Sequence, residues 1–301
     1  MADGMQVFDR RAVRAHRDRA AARLGAHDFL FREAAERLAD RLLDCKRAFP
    51  AALDLGCHGG VLARVLGGRG GIETLVQADL SPFMAARATG LRLAADEEAL
   101  PFAAASFDLV MSVLSLHWVN DLPGALLQIR RCLKPDGLFL ASLFGGETLR
   151  ELRDALLQAE AEIEAGASPR VAPFVDLRDG GALLQRAGFA LPVADAERIA
   201  VTYPDALALM RDLRGMGESN ATRDRRKSAS RRATLARAAA IYGERHAGPD
   251  GRLVASFQLV TLTGWHPHES QQQPLKPGSA ATRLAKALGT TERPAGEKAG
   301  S

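Results

Sequence analysis

Apolar positions along this chain recur with two different periods, and the switch between them lays out the elements. Over the first fifty residues the spacing is helical: one pattern runs over 10–24 and a second over 28–46, with Leu38, Leu42 and Cys45 on one stripe. From residue 51 the rhythm alternates. Apolar runs at 51–55, 74–78, 91–95, 107–112 and 138–143 predict strands. The stretches 60–66 and 122–133, and a short one after Pro82, predict helices between them, and Lys134-Pro135-Asp136-Gly137 is expected to stop the last of these. Strands that alternate with helices argue for a parallel sheet.

Beyond residue 145 the pattern changes. Leu149, Leu152, Leu156, Ala159 and Ile163 recur at helical spacing and predict a long helix ending at Gly166, then a helix over 177–187 closes on Gly188. Apolar alternation returns over 190–203 and 256–265, which makes seven strands in all. Between these two, Pro204 in a first turn opens a helix to Met216, and another is expected over 229–242, an insertion placed to cap the strand ends. The predicted fold is α/β and doubly wound around a mostly parallel seven-stranded sheet. It divides into a helical arm over 1–48, a core over 49–203, the cap over 204–251, the last strand and its loop over 252–270, and a tail over 271–301 whose end is expected to fray.

Composition narrows the class. With 301 residues, 47% of them hydrophobic, the chain can bury one large core or a core with a cap. No apolar stretch reaches the length of a membrane span, and the first residues carry neither a signal-peptide core nor a transit-type presequence, so a soluble, cytoplasmic protein is expected. Cys45, Cys57 and Cys132 are scattered, without the spacing of a disulfide framework or a thiolate zinc site. The net charge of +4 is small but uneven: residues 223–252 hold nine Lys/Arg against three acids. No aromatics interleave with the arginines of 223–232, which disfavours a nucleic-acid partner. A solvated helix face accounts for these charges, as would contact with an acidic protein or an anionic inner-membrane surface.

Candidate chemistry gathers at the strand ends. Asp54-Leu55-Gly56-Cys57-His58-Gly59-Gly60 closes the first strand, and Asp79 closes the second 25 residues later. Ligands of doubly wound sheets bind at such ends. A dinucleotide turn would read G-x-G-x-x-G, and the second and third glycines of that pattern are missing here. Asp54 would repel a pyrophosphate but accept hydrogen bonds from a ligand amine, which favours S-adenosyl-L-methionine over NAD. Asp79, with Leu80 beside it, is placed for the ribose hydroxyls; Asp96 and Glu97, after the third strand, are placed for an adenine amino group. The candidate cofactor residues are thus Asp54, Gly56, Cys57, His58, Gly60, Asp79, Leu80, Asp96 and Glu97.

The series Asp54-x-Gly56, Asp79, Asp96, Leu100-Pro101-Phe102, Phe107-Asp108-Leu109-Val110 and Leu133-Lys134-Pro135-Asp136-Gly137 resembles the class I S-adenosylmethionine-dependent methyltransferases, with their Rossmann-like fold. A resemblance over nearly the whole chain is carried by Phe8-Asp9-Arg10, the run from Ser115 to Leu122, and Phe144-Gly145-Gly146-Glu147-Thr148-Leu149. Gly215-Met216-Gly217-Glu218-Ser219-Asn220 and Gly264-Trp265-x-x-His268-Glu269-Ser270-Gln271 extend it. These segments are similar to the family of respiratory complex I assembly factors regarded as protein arginine hydroxylases, and to its bacterial members. The resemblance implies an enzyme that modifies a protein substrate, a complex I subunit, by arginine hydroxylation; a conventional methyltransferase acting on a small molecule or carrier-bound acid, and a non-catalytic assembly chaperone, are the alternatives. His58 departs from the pattern, because methyltransferase turns normally carry glycine there; its ring is expected to donate to the methionine carboxylate.

For catalysis the candidates are His117, as a base, and Trp118, as a face for a cation, against a reading in which the pair closes the core. His266-Pro267-His268-Glu269 is a poor match to a two-histidine-one-carboxylate centre, so no metal is expected.

Overall fold

Buried on both sides of a sheet, a strand reads as a near-continuous apolar run, and β1 (Ala51–Leu55) is apolar but for Asp54; four of its five residues, Asp54 among them, are buried. In this computed structural model, which describes residues 6–164, 166–272 and 282–291, β1 is the third strand across one seven-stranded sheet. The others are β2 (Thr74–Asp79), β3 (Leu91–Ala94), β4 (Phe107–Val113), β5 (Leu133–Phe144), β6 (Ala190–Tyr203) and β7 (Leu253–Trp265). Their order is β3-β2-β1-β4-β5-β7-β6. The first five run parallel, while β7 is antiparallel to both β5 and β6. This is the mixed, Rossmann-like sheet that the sequence predicts.

The helices are α1 (Arg10–Ala20), α2 (Phe29–Arg41), α3 (Val61–Val65), α4 (Pro82–Arg87), α5 (Leu122–Cys132), α6 (Arg150–Glu164), α7 (Leu177–Arg186), α8 (Ala206–Met216), α9 (Arg232–His246) and α10 (Leu284–Ala287). Side chains alternate across the sheet with period two. Leu109, Met111 and Val113 of β4 join the apolar cluster of α2, α6 and α8, whereas Val110 joins that of α5 and α7. The predicted apolar stripe of α6 is the buried one, with Leu149, Leu152, Leu156 and Ala159 nearly out of water.

Three expectations change. β5 begins at Leu133, directly after α5: Leu133 pairs with Phe107, and the register shifts before Leu138 pairs with Leu109, so Lys134-Pro135-Asp136-Gly137 is an irregularity inside the strand. Pro204 stands outside α8, because Asp205 is the cap and its carboxylate accepts from the Ala208 amide at 2.7 Å. Arm, core and cap are not separate bodies. Residues up to His268 form one compact unit, and a second begins at Glu269. That second unit contains α10; the predicted frayed end lies outside the described residues.

Candidate functional site

The sheet order reverses between β1 and β4, the place where doubly wound folds open a crevice for ligands. The Asp54–Gly60 turn leaves β1 there and is pinned by Gly56 and Cys57 amides donating to the Ala78 carbonyl at 2.8 and 3.0 Å. Gly56 sits at φ +80°, and a Cβ on it would overlap the Ser115 hydroxyl, so only glycine fits. Gly60 at φ +78° opens α3. Asp79, at the end of β2, accepts from the His58 amide at 3.1 Å and from the Ser81 amide at 2.8 Å.

Asp54, Asp79 and Glu97 are each 0% exposed. Neither oxygen of Asp54 has a hydrogen-bond partner among the described residues. Burial, reinforced by the nearby Asp79, pushes its carboxyl up to about 8. Glu97 shifts the other way: burial works against its charge, but Arg17, Arg10 and the Ser115 hydroxyl hold it far below the usual carboxylate range. Cys57 is buried beside Asp79 and Asp54, and burial above all raises its thiol well beyond the range of a reactive thiolate.

The helical arm contributes two cations that sequence reasoning missed. Arg17 of α1 is 1% exposed and donates to Glu97 at 2.9 Å and Ser115 at 2.8 Å, with Asp79 at 3.4 Å. Arg10 engages Asp96 at 2.5 Å and Glu97. The signal was present: Val13, Arg17 and Ala20 recur at helical spacing on the buried face of α1, so Arg17 is a charge on an apolar stripe. Asp96 stays at the rim, with a side chain 36% exposed, and Leu80 packs toward the cluster of Phe8 and Trp118.

His58 is placed differently from its expected role. Its φ is +43°, and the ring stacks on Phe31 of α2 at 4.2 Å while Nε2 meets the Leu114 carbonyl at 3.1 Å. A carbonyl only accepts, so Nε2 carries the proton. Burial, with Arg17 adding to it, lowers the imidazole's proton affinity, and the remaining Nδ1 is an acceptor. Such a ring cannot donate to a carboxylate from Nδ1; it supports the turn from beneath.

His117 and Trp118 lie in a 3-10 turn, Leu116–Trp118, after β4. Both converge on a residue outside the predicted set: Glu218 Oε2 accepts from Trp118 Nε1 at 2.8 Å and lies 3.0 Å from His117 Nε2. Gly217, left-handed at φ +85°, ends α8 and turns Glu218 inward. Glu218 is buried; that burial opposes its charge, yet His117 keeps the carboxyl below its ordinary value. Its Oε1 has no partner among the described residues. Trp118 and Glu218 form part of the wall of a cavity of about 730 Å³, with Leu152, Phe174 and Met210 among its apolar lining and Arg211 and Arg214 at its exposed rim. The cavity belongs to the space between α6, α8 and the segment around Ala172.

Part of the basic segment is spent on internal pairs. Arg225 pairs with Asp9 at 3.0 Å, Arg226 with Glu164, and Arg237 with Glu162 at 2.6 Å. Among the described residues no group of three or more His, Cys, Asp or Glu converges as a metal site requires, and no helix is long and apolar enough to cross a membrane.

Residues 53–141 match a family model described as a methyltransferase domain. The chain is 45% identical to the mitochondrial arginine-hydroxylase NDUFAF5 of Danio rerio, over 94% of this chain and 89% of that protein. It is 37% identical to a malonyl-[acyl-carrier protein] O-methyltransferase of Methylovorus sp., over 87% of this chain and 90% of that one. Among solved structures, the YcgJ protein of Bacillus subtilis shares the fold at a TM-score of 0.54 and 14% identity, covering 77% of this chain and 98% of its own. Sheet order, turn and relatives agree: this chain belongs to the class I S-adenosylmethionine-dependent methyltransferase superfamily, in the branch that holds arginine-hydroxylase and malonyl-carrier O-methyltransferase relatives.

Proposed function

We propose that this chain binds S-adenosyl-L-methionine at the ends of β1, β2 and β3 and modifies an arginine of a protein substrate, by hydroxylation, during the biogenesis of respiratory complex I. The residues fit that cofactor: Asp54, buried and without a partner, suits an ammonium; Asp79 suits the ribose hydroxyls; Asp96 suits the adenine amino group. When bound, the cofactor supplies a methyl group activated by a sulfonium. The chain's own residues hold and orient, which is where most of the attainable acceleration in such transfers comes from.

One observation carries the substrate reading. Glu218, whose Oε1 is without a partner among the described residues, and Trp118 both line a cavity whose apolar wall includes Leu152, Leu156, Phe174 and Met210. A carboxylate beside an aromatic face suits a guanidinium on an aliphatic stem. His117, held against Glu218, is positioned to keep that carboxylate charged. Oxygen insertion draws on an oxidant beyond the ordinary side chains, so the share of this chain is to present the guanidinium. The partner implied is a complex I subunit, met at the inner-membrane surface; the 45% identity to an arginine-hydroxylase supports the arginine modification in this reading.

A second reading, methyl transfer to a carrier-bound acid, is favoured by Arg211 and Arg214 at the rim, which suit an anionic carrier, and by the 37% identical relative. Mass spectrometry of complex I peptides and of acyl-carrier species from a strain lacking this chain separates the two. The first reading expects an arginine peptide to lose the mass of one oxygen atom and to regain it on complementation. Loss of a methyl group on a carrier-bound acid would support the second, and unchanged modification throughout would contradict both.

A further inference from the structure

We propose that α1 is a latch on the cofactor pocket, with the Arg17 guanidinium lodged against Asp79, where the cofactor's ribose must go. The inference rests on the reading of this pocket as the cofactor site. Its basis is closure. Asp54, Asp79 and Glu97 are all 0% exposed, so a ligand reaches them only if something that covers them moves.

Arg17 and Arg10 are part of that cover and belong to one helix. Arg17 is the largest fully buried side chain among the described residues, and a guanidinium taken out of water is unfavourable unless it is paired. Here it is paired with Glu97 and Asp79 and bonded to the Ser115 hydroxyl, three groups that come from the ends of different strands. Arg10 closes the outer side on Asp96 and Glu97. S-adenosylmethionine brings its ribose hydroxyls to Asp79 and its adenine amino group to Asp96, acids that Arg17 and Arg10 hold here. These acids are therefore met either by the latch or by the cofactor, and the two exclude one another at Asp79.

The latch also reaches the cavity. Immediately before α1, Phe8 bridges Thr222, the Asp9 amide donates to the Ala221 carbonyl at 2.8 Å, and Arg223 returns a bond to Val7 at 2.8 Å. His16 meets the Ser219 carbonyl at 3.0 Å, next to Glu218. Phe8 packs edge-on against Trp118, with ring centroids 5.4 Å apart. Lifting α1 for the cofactor thus disturbs the segment that presents Glu218, and a ligand that steadies that segment holds the latch down. Such coupling is reciprocal by thermodynamic necessity.

Hydrogen exchange on the intact wild-type protein, with and without S-adenosylmethionine, reads the latch directly. Amides of residues 10–20 are expected to exchange faster when the cofactor is bound; slower or unchanged exchange in a sample where binding is demonstrated would overturn the latch. Removing Arg17 alone would strand buried acids, so the companion experiment is a neutral pair. R17M combined with E97Q is expected to bind S-adenosylmethionine about tenfold more tightly than E97Q alone, because the competent state no longer competes with the closed one. Weaker binding by the pair would make Arg17 a cofactor ligand and overturn the proposal. Absence of binding by wild type and both variants would instead remove the cofactor reading beneath it.

Discussion

A carboxylate fully out of water with neither oxygen bonded is costly to ionise, and Asp54 is in that position. Its carboxyl is raised to about 8, against an unfolded value of about 3.9. The folded state therefore holds this proton more tightly than the unfolded one. The stability linked to it is fully present below about pH 4 and is lost as pH rises through about 8. Urea denaturation of wild type and Asp54→Asn between about pH 5 and about pH 9 checks this: the wild type should lose stability relative to the variant, by a few kcal/mol at most, and parallel profiles would contradict it. His58 gives a second residue-scale test. Replacing it with glycine relieves a positive φ worth about 1 to 2 kcal/mol but removes a buried ring stacked on Phe31, worth about 1.5 to 3 kcal/mol. The packing loss is the larger, so His58→Gly should be less stable by roughly 1 kcal/mol in chemical denaturation. Equal or greater stability would show that the ring does not support the turn. Acids that end strands were legible in the sequence because a charge closing an apolar run is conspicuous. The His58–Phe31 contact was not, since it joins residues whose proximity only the packing of α2 beneath the turn creates.

At the scale of elements, the strongly periodic segments appear where the spacing put them: β1 and β6 have the predicted bounds, and α6 buries the predicted stripe. Errors fall where a local rule was overridden. A Lys-Pro-Asp-Gly run normally breaks an element, but pairing of Leu133 with Phe107 extends β5 back through it. Arg17 escaped notice because charges on an amphipathic helix are solvated by default, and the apolar stripe of α1 is short. Glu218 escaped because a loop after a helix has no period; its inward turn depends on the left-handed Gly217. Gly217→Ala is expected to cost about 1 to 2 kcal/mol, lowering the melting temperature by about 2–4 °C. An unchanged thermal transition would mean that the turn does not need glycine.

For the molecule as a whole, arm, core and cap proved to be one packed unit, because α1 reaches into the strand ends and α8 and α9 cover the face that α6 presents. The excess of arginine after residue 223 reads in the sequence as a solvated helix face or a contact with an acidic protein or an anionic membrane; in the fold Arg225, Arg226 and Arg237 meet acids of the chain itself. Charge counted along the sequence carries no information about which acids fold back on it. The architecture and the acidic pocket were legible, while the guanidinium that fills the pocket and the carboxylate in the neighbouring cavity emerged only from tertiary contacts. The central claim is that the acids at the ends of β1, β2 and β3 form a pocket for S-adenosylmethionine. Calorimetric titration of the wild-type protein near pH 7, in two buffers of different ionisation enthalpy, tests it most directly. The account predicts a single site per chain and release of a proton, as Asp54 ionises to meet the cofactor's ammonium. Absence of binding heat in both buffers would contradict it.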